Sequence, residues 1–377
     1  MAATRVLFVL GALQPGGIQT FLLSLLRHFD REDVAIDVCT MAADPGPLAE
    51  EVQQLGATVH AVPVGRSPRP VIAAFEKILS AQKYDALHAN RSSSFLAMPI
   101  RAARRCGVPV RIAQYQNDFR RNGVIRDTAD RYFRGFVRRD ATNIIGVSQN
   151  TLTTHFGKNW QRDKRFEVVP NPIDLSVYTR MRRDEIRTAL GFASDDIVIG
   201  HSGRFSEAKN HVLIVDVAEQ LCVEFPNVKF ILAGDGRWRE EIQSCVRDCG
   251  LEERIRFPGW RSDMADLLSA MDIFFFPSLW EGCPISLLEA QGAGLPCAAS
   301  DIPATRESIA PALQPFMFPP RDVSLARNAL ARLIADANLR ARLGAEARSH
   351  AVKFDIKTIA SHLREIYRGQ SHSGARG

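Results

Sequence analysis

Residues 273–300 read IFFFPSLWEGCPISLLEAQGAGLPCAAS. Four apolar residues, Ile273–Phe276, are closed by Pro277, which is the pattern of a strand buried on both faces. A loop carrying Glu281, Gly282, Cys283 and Pro284 follows. Ile285, Leu288 and Gly292 then recur at helical spacing along Ile285–Ala293, and Gly294 and Pro296 stop that helix. Pro296–Ala299 reads as the next buried strand. Glu281 therefore stands on the loop at the carboxyl end of a strand, and Glu289 within the helix that leaves it. The backbone N–H groups of Ile285 and Ser286 belong to the helix N-terminus, which favours an anion. In an open α/β sheet, ligands bind at that edge.

The same rhythm extends outward on both sides. Toward the N-terminus, strands are predicted at Arg5–Leu10, Ala35–Thr40, Thr58–Val62, Ala86–Ala89, Val110–Ala113, Asn143–Val147 and Phe166–Val169. Amphipathic helices lie between most of them, and Ser67–Pro70 reads as a loop. Val169-Pro170-Asn171-Pro172-Ile173-Asp174 is a breaker cluster between two halves. Beyond it come strands at Ile197–His201, Lys229–Ala233 and Ile255–Phe257, a turn at Phe257–Trp260, and helices at His211–Phe225, Arg237–Cys249 and Met264–Met271. Leu325–Lys353 reads as mostly helical and Phe354–Arg368 as one more amphipathic helix. Alternating strands and helices imply parallel sheets covered on both faces. The tail 371–377 is expected to be disordered.

The 377 residues, 46% of them apolar, suffice for two domains with proper cores. No apolar run approaches the length of a membrane span, and MAATRVLFVLGAL reads as a first strand rather than a signal peptide. Seven cysteines, mostly in apolar runs and without a paired metal-ligand spacing, read as thiols of a reducing cytoplasm. Residues 101–140 hold eleven arginines against four acids, with Tyr115, Phe119, Tyr132, Phe133 and Phe136 among them. Such a patch suits nucleic acid, an anionic membrane surface or an anionic substrate, with the aromatics favouring the membrane, or serves solubility alone.

The stretch around Glu281 and Glu289 resembles the E-x7-E region of glycosyltransferase family 4, usually written EGFG-x4-E, with Cys283 in place of the common aromatic. Gly16-Gly17, after the first strand, resembles that family's glycine loop, and Val169–Asp174 resembles its interdomain IPNGID segment. Gly203-Arg204-Phe205-Ser206-Glu207-Ala208-Lys209 resembles its G-R-x4-K element. The resemblance implies a GT-B fold of the α/β class: two doubly wound Rossmann-like domains with a cleft between them. It implies an acceptor-side domain over residues 1–172, joined by a crossing-back helix at 354–370, and a nucleotide-sugar domain over 173–353. It implies a retaining transferase that takes a sugar from a nucleoside-diphosphate donor, UDP- or GDP-linked, to a glycan or lipid-linked acceptor. No metal and no cofactor are required in that scheme, and no nucleic acid is expected as a partner. A cytoplasmic enzyme, peripheral on the inner face of the membrane, fits the family's place in polysaccharide and glycolipid synthesis.

On the same resemblance, Arg204 and Lys209 hold the donor diphosphate, Arg as a planar fork and Lys as a point charge. Glu281 faces the donor sugar and Glu289 accepts from the ribose hydroxyls. Gly16, Gly17 and Gly203 offer backbone. Gly282, Cys283, Pro284, Ile285 and Ser286 border the sugar and distal phosphate, and the segment Gly259-Trp260-Arg261 borders the base. Glu281, Arg204 and Lys209 form the catalytic set. Many relatives read RIAHSHN where this chain reads Arg111-Ile112-Ala113-Gln114-Tyr115-Gln116-Asn117. Glutamine cannot titrate, so the acceptor-side candidates are Gln114, Gln116 and Asn117, with His88, at the end of another strand, as a substitute or a structural residue. Two alternatives stand beside the enzyme: a nucleotide-sugar-binding protein of weak catalytic power, and a dinucleotide-dependent dehydrogenase. The second is disfavoured because Gly11–Gly17, GALQPGG, lacks G-x-G-x-x-G.

Overall fold

The computed structural model describes residues 2–65, 67–91, 94–116, 124–179 and 182–370. Candidate Asn117 and the tail 371–377 lie outside the described residues. The chain forms two compact units: one runs to Pro172 and takes up the C-terminal segment from Ile356, and the other is Ile173–Asp355.

Among the described residues the first unit has seven strands: β1 (Thr4–Leu10), β2 (Val34–Thr40), β3 (Val59–Ala61), β4 (Ala86–Asn90), β5 (Val110–Tyr115), β6 (Asn143–Gly146) and β7 (Phe166–Val168). They pair in parallel in the order β3-β2-β1-β4-β5-β6-β7. Alternation along β1 feeds two cores. Leu7 and Val9 pack on one face with Phe75, Leu87 and Ala113, while Val6, Phe8 and Leu10 pack on the other with Phe21, Leu25 and Ile112. β5 runs two residues beyond its apolar stretch. Gln114 pairs with Asn90 of β4 and Tyr115 with Gly146 of β6, so neighbours on both sides carry the ladder onward. Ser67–Pro70 is not a loop: the helix Pro68–Ala81 begins there, with proline at a first-turn position where its missing N–H costs nothing.

The second unit holds β8 (Ile197–Ser202), β9 (Val228–Ala233), β10 (Ile255–Gly259), β11 (Ile273–Phe276), β12 (Cys297–Ser300) and β13 (Met317–Phe318), all parallel, in the order β10-β9-β8-β11-β12-β13. β11 occupies the residues its apolar run predicts, and all four are fully buried. Sequence reasoning missed the helices Gln149–Phe156, Arg183–Ala189 and Pro303–Ser308 and the strand β13. The first of these, QNTLTTHF, is rich in poor helix formers. It is started by Ser148, whose side chain accepts from the Thr151 N–H.

The helix Ile356–Tyr367 belongs to the first unit. Its face of Ile356, Ile359, Ala360, Leu363, Ile366 and Tyr367 joins the core of Phe8 and Phe21. Polar ties reinforce it: His362 Nε2 to Glu167 at 2.9 Å, Arg364 Nε to Asp33 at 2.7 Å, and Arg368 to the same Asp33. The Tyr367 hydroxyl lies 2.8 Å from His88 Nδ1. Phe354 and Asp355 remain with the second unit, where Phe354 packs among Ile173, Leu288 and Ala351.

Replacing Tyr367 by Phe keeps the packing but strips a buried ring nitrogen of its partner. The expected cost is about 1–3 kcal/mol, the scale of an orphaned buried polar group. Urea denaturation compares the two proteins, and an unchanged midpoint would show that the hydroxyl contributes nothing.

Candidate functional site

In the second unit the candidate donor residues gather at the carboxyl edge of adjacent strands β8 and β11, which pair through Ile273 with Ile199 and Phe274 with Gly200. β8 hands the chain to Gly203–Asn210, and β11 hands it to Pro277–Pro284. Lys209 Nζ meets Glu281 Oε1 at 2.5 Å, with both side chains more than four-fifths buried. The same ammonium sits 5.3 Å over the Phe276 ring. The two loops are also tied through backbone, since Leu279 N–H donates to Ala208 O at 2.8 Å. Asn210 takes the left-handed conformation (φ 53°, ψ 47°), which asparagine tolerates better than most residues. It donates from Nδ2 to the carbonyls of Pro277 and Pro320.

The loop bearing Arg204 is clamped from the other side. Gly203 N–H donates to Ala233 O, and Phe205 N–H to Asp235 O, both at 3.0 Å. Gly234 (φ +131°) and Gly236 (φ +153°) make the approach feasible: a Cβ would stand 2.1 Å from Gly203 O at the first and 2.5 Å from Phe205 O at the second. Arg204 itself is exposed. Beneath the loop, Phe205 stacks on His211 (3.9 Å, 19°), and His211 meets His201 edge-on at 4.9 Å. Burial, aided by the Lys209 charge, pushes His201 down to about 3 and His211 down to about 2. Both are neutral packing groups at pH 7.

The helix Ile285–Gly292 starts where the sequence predicts, but its first donor is spent, because Ile285 N–H donates to Cys283 O at 3.0 Å. Glu289 lies within that helix; burial pushes its carboxyl up to about 7, and the Lys209 charge opposes the rise only partly. It borders Tyr178, whose hydroxyl is pushed up by burial and by the Glu289 charge. Trp260, at the end of β10, is 61% exposed and so is no core residue. The Arg261 guanidinium is held by Asp263, Nε to Oδ1 at 2.6 Å.

In the first unit, Gly16 and Gly17 lie exposed at the start of the helix Gly17–His28, where Thr20 N–H donates to Gly16 O. Gln114 lies inside β5 rather than on a loop and is fully buried. Its Oε1 is 2.8 Å from Asn90 Nδ2 and 2.8 Å from His88 Nε2. With the Tyr367 hydroxyl on Nδ1, both His88 ring nitrogens are occupied, the ring has no exposure, and burial pushes its pKa down to about 3. His88 is thus a structural residue, not a substitute acceptor-side acid or base. Gln116 is 8% exposed and accepts from Asn171 Nδ2 at 2.9 Å. Of the arginines in 101–140, Arg101, Arg104 and Arg139 converge on the buried Asp140, and Arg134 and Arg138 donate to the carbonyls of His155 and Phe156. Tyr132 stays 65% exposed. Among the described residues no helix is long and apolar enough to cross a membrane.

Sequence reasoning missed Phe276 beneath Lys209, the two histidines, Asn210, Tyr178 and the Gly234–Gly236 clamp. The Gly-Asp-Gly after β9 and the asparagine after Lys209 were legible signals, since both mark backbone that side-chain-bearing or β-branched residues avoid.

Comparison with known proteins follows the same division. The family described as "Glycosyl transferase 4-like domain" matches residues 16–172, and "Glycosyl transferases group 1" matches 182–350. The putative glycosyltransferase EpsF of Bacillus subtilis (strain 168) is 33% identical over 308 residues, 79% of each chain. An Escherichia coli UDP-Gal:alpha-D-GlcNAc-diphosphoundecaprenol alpha-1,3-galactosyltransferase is 26% identical over 300 residues, 77% of each chain. The crystal structure of Anabaena Alr3699/HepE in complex with UDP superposes with a TM-score of 0.83 at 23% identity, covering 96% of this chain and 99% of that one.

The raised Glu289 carboxyl sets a pH dependence. The folded chain holds that proton more tightly than the unfolded one, so between about pH 4.5 and 7 unfolding releases it and stability falls as pH rises. Glu289→Gln should remove this component. The difference in unfolding free energy between variant and wild type should grow in the variant's favour across that window and level off above it. A difference that stays flat from pH 4.5 to 8 would show the carboxyl to be unperturbed.

Proposed function

This chain belongs to the group 1 glycosyltransferases of family 4, and we propose that it moves a sugar from a nucleoside-diphosphate donor to a glycan or lipid-linked acceptor, with retention and without a metal ion. The observation that carries the reading is the Lys209–Glu281 pair at the carboxyl edge of β8 and β11, with Lys209 on the loop that also bears Arg204 and Glu281 on the next. A diphosphate entering there meets a cation already desolvated and held in place, so little reorganisation is needed when charge grows on the leaving group. Arg204 grips the diphosphate as a fork while Lys209 exchanges its Glu281 partner for a phosphate oxygen. Glu281, released from that pair, faces the sugar and offsets positive charge on an oxocarbenium-like carbon. Two side-chain cations, Arg204 and Lys209, take the charge-neutralising role at the diphosphate that a metal ion would otherwise fill. Glu289 accepts from the ribose hydroxyls, which favours its charged form.

The UDP in the HepE structure and the UDP-linked donor of the galactosyltransferase support a uridine donor. The diphosphoundecaprenol-linked acceptor of the latter supports a lipid-linked acceptor here, within polysaccharide or glycolipid synthesis. The enzyme works in the cytoplasm, with the exposed Tyr132 turned toward an anionic membrane. Nothing observed favours the binding-only alternative.

Arg204→Ala and Lys209→Ala should each weaken UDP binding by about 1.5–3 kcal/mol, the range of a charged hydrogen bond. Calorimetry reads this directly, and unchanged affinity in both variants would end the assignment. Glu281→Gln should behave oppositely. UDP affinity holds or rises, because Lys209 loses its competitor, while donor hydrolysis and transfer fall by about a hundredfold or more, as when one transition-state contact is removed. Turnover equal to wild type would remove Glu281 from the catalytic set.

A further inference from the structure

Arg91 follows β4 directly, and its backbone N–H donates to Gln114 O at 3.2 Å, so it stands at the carboxyl edge between β4 and β5. Its guanidinium lies 5.6 Å over the Phe95 ring. Nη1 is buried without a hydrogen-bond partner, and no carboxylate pairs with Arg91 among the described residues. Nearby arginines differ: Arg101, Arg104 and Arg139 share Asp140, and Arg105 pairs with Glu76. Burial holds the Arg91 pKa below the usual arginine range, the mark of a charge removed from water without a counter-ion.

The same edge carries further unmatched groups. Gln114 Oε1 is engaged by Asn90 and His88, and Gln116 Oε1 by Asn171, which leaves both Nε2 donors buried and unpartnered. Asn90 Oδ1 and Asn171 Oδ1 are buried acceptors in the same condition. Buried polar groups without partners are costly, and a cluster of them is explained when a ligand completes it. One cation with amide donors suits a phosphate, and two amide acceptors suit hydroxyl groups.

Building on the proposed transfer reaction, we infer that this edge binds a phosphate-bearing sugar as acceptor, with Arg91 on the phosphate and the amides of Asn90, Gln114, Gln116 and Asn171 on neighbouring hydroxyls. The acceptor is thereby selected for its anionic group, and Arg91 is the specificity-determining residue.

The test uses the full chain with UDP saturating the donor site, titrated with N-acetylglucosamine 1-phosphate and, separately, with N-acetylglucosamine. The phosphate should bind at least about tenfold more tightly than the neutral sugar, and Arg91→Gln should weaken it by about tenfold to a hundredfold, the range of a charged hydrogen bond. Affinity for UDP should stay within about twofold of wild type, which certifies folding, and Arg91→Lys should restore part of the loss, because it keeps the charge but not the fork. If Arg91→Gln loses UDP binding as well, Gln116→Glu decides: a carboxylate at that edge should weaken the phosphate probe far more than the neutral sugar, with UDP still bound. Equal affinity for the two probes, no binding of the phosphate probe, or indifference to both Arg91→Gln and Gln116→Glu overturns the inference. Failure of the donor reading appears separately, as a wild type that does not bind UDP.

Discussion

The rings of Phe274, Phe275 and Phe276 exclude water from both faces of β11. A parallel strand so enclosed must send its chain out over the carboxyl edge before a helix brings it back. Its neighbour β8 obeys the same rule, so two loops emerge side by side and hydrogen-bonding groups are forced together. Everything polar in the second unit's site follows from that enforced adjacency. Lys209 reaches Glu281, Asn210 reaches two proline carbonyls, and the glycines after β9 let a third loop press against the first.

Charges placed in such a corner cannot behave as they do in water. Lys209 and Glu281 tolerate it by neutralising each other. Glu289, with no hydrogen-bonded cation of its own, clings to its proton instead, and the two histidines below give theirs up. The corner is thus poised rather than filled. The Lys209–Glu281 ion pair can be exchanged for a pair with an incoming anion, whereas removing either partner outright would leave a buried charge exposed to a low dielectric.

The fold was legible because burial on both faces writes strands as apolar runs, and β11 matches its reading residue for residue. Elements without that signature escaped. Gln149–Phe156 is held by a serine cap and a tyrosine–histidine contact that composition does not advertise, and β13 is two residues long. At the site, Arg204, Lys209, Glu281 and Glu289 were readable as motif positions. Their supporting contacts were not, since Phe276, His201 and His211 look like any core residues until the loop is folded over them. Gln114 shows the opposite limit. Its type was readable, but its burial depended on β5 extending two residues past the apolar run, which only the neighbouring strands decide.

The helix Ile356–Tyr367 is the last of the described elements along the chain, yet it roofs the sheet whose first strand begins at Thr4. On a ribosome delivering the chain N-terminus first, the first unit must wait with Phe8, Phe21, Val110 and Ile112 uncovered while the whole second unit, contiguous in sequence, can be completed. The unit that starts first finishes last. A chain cut short just after Asp355 would carry a complete second unit and an unroofed first unit, so for this protein truncation there is chiefly a hazard of sticky, half-covered β-sheet.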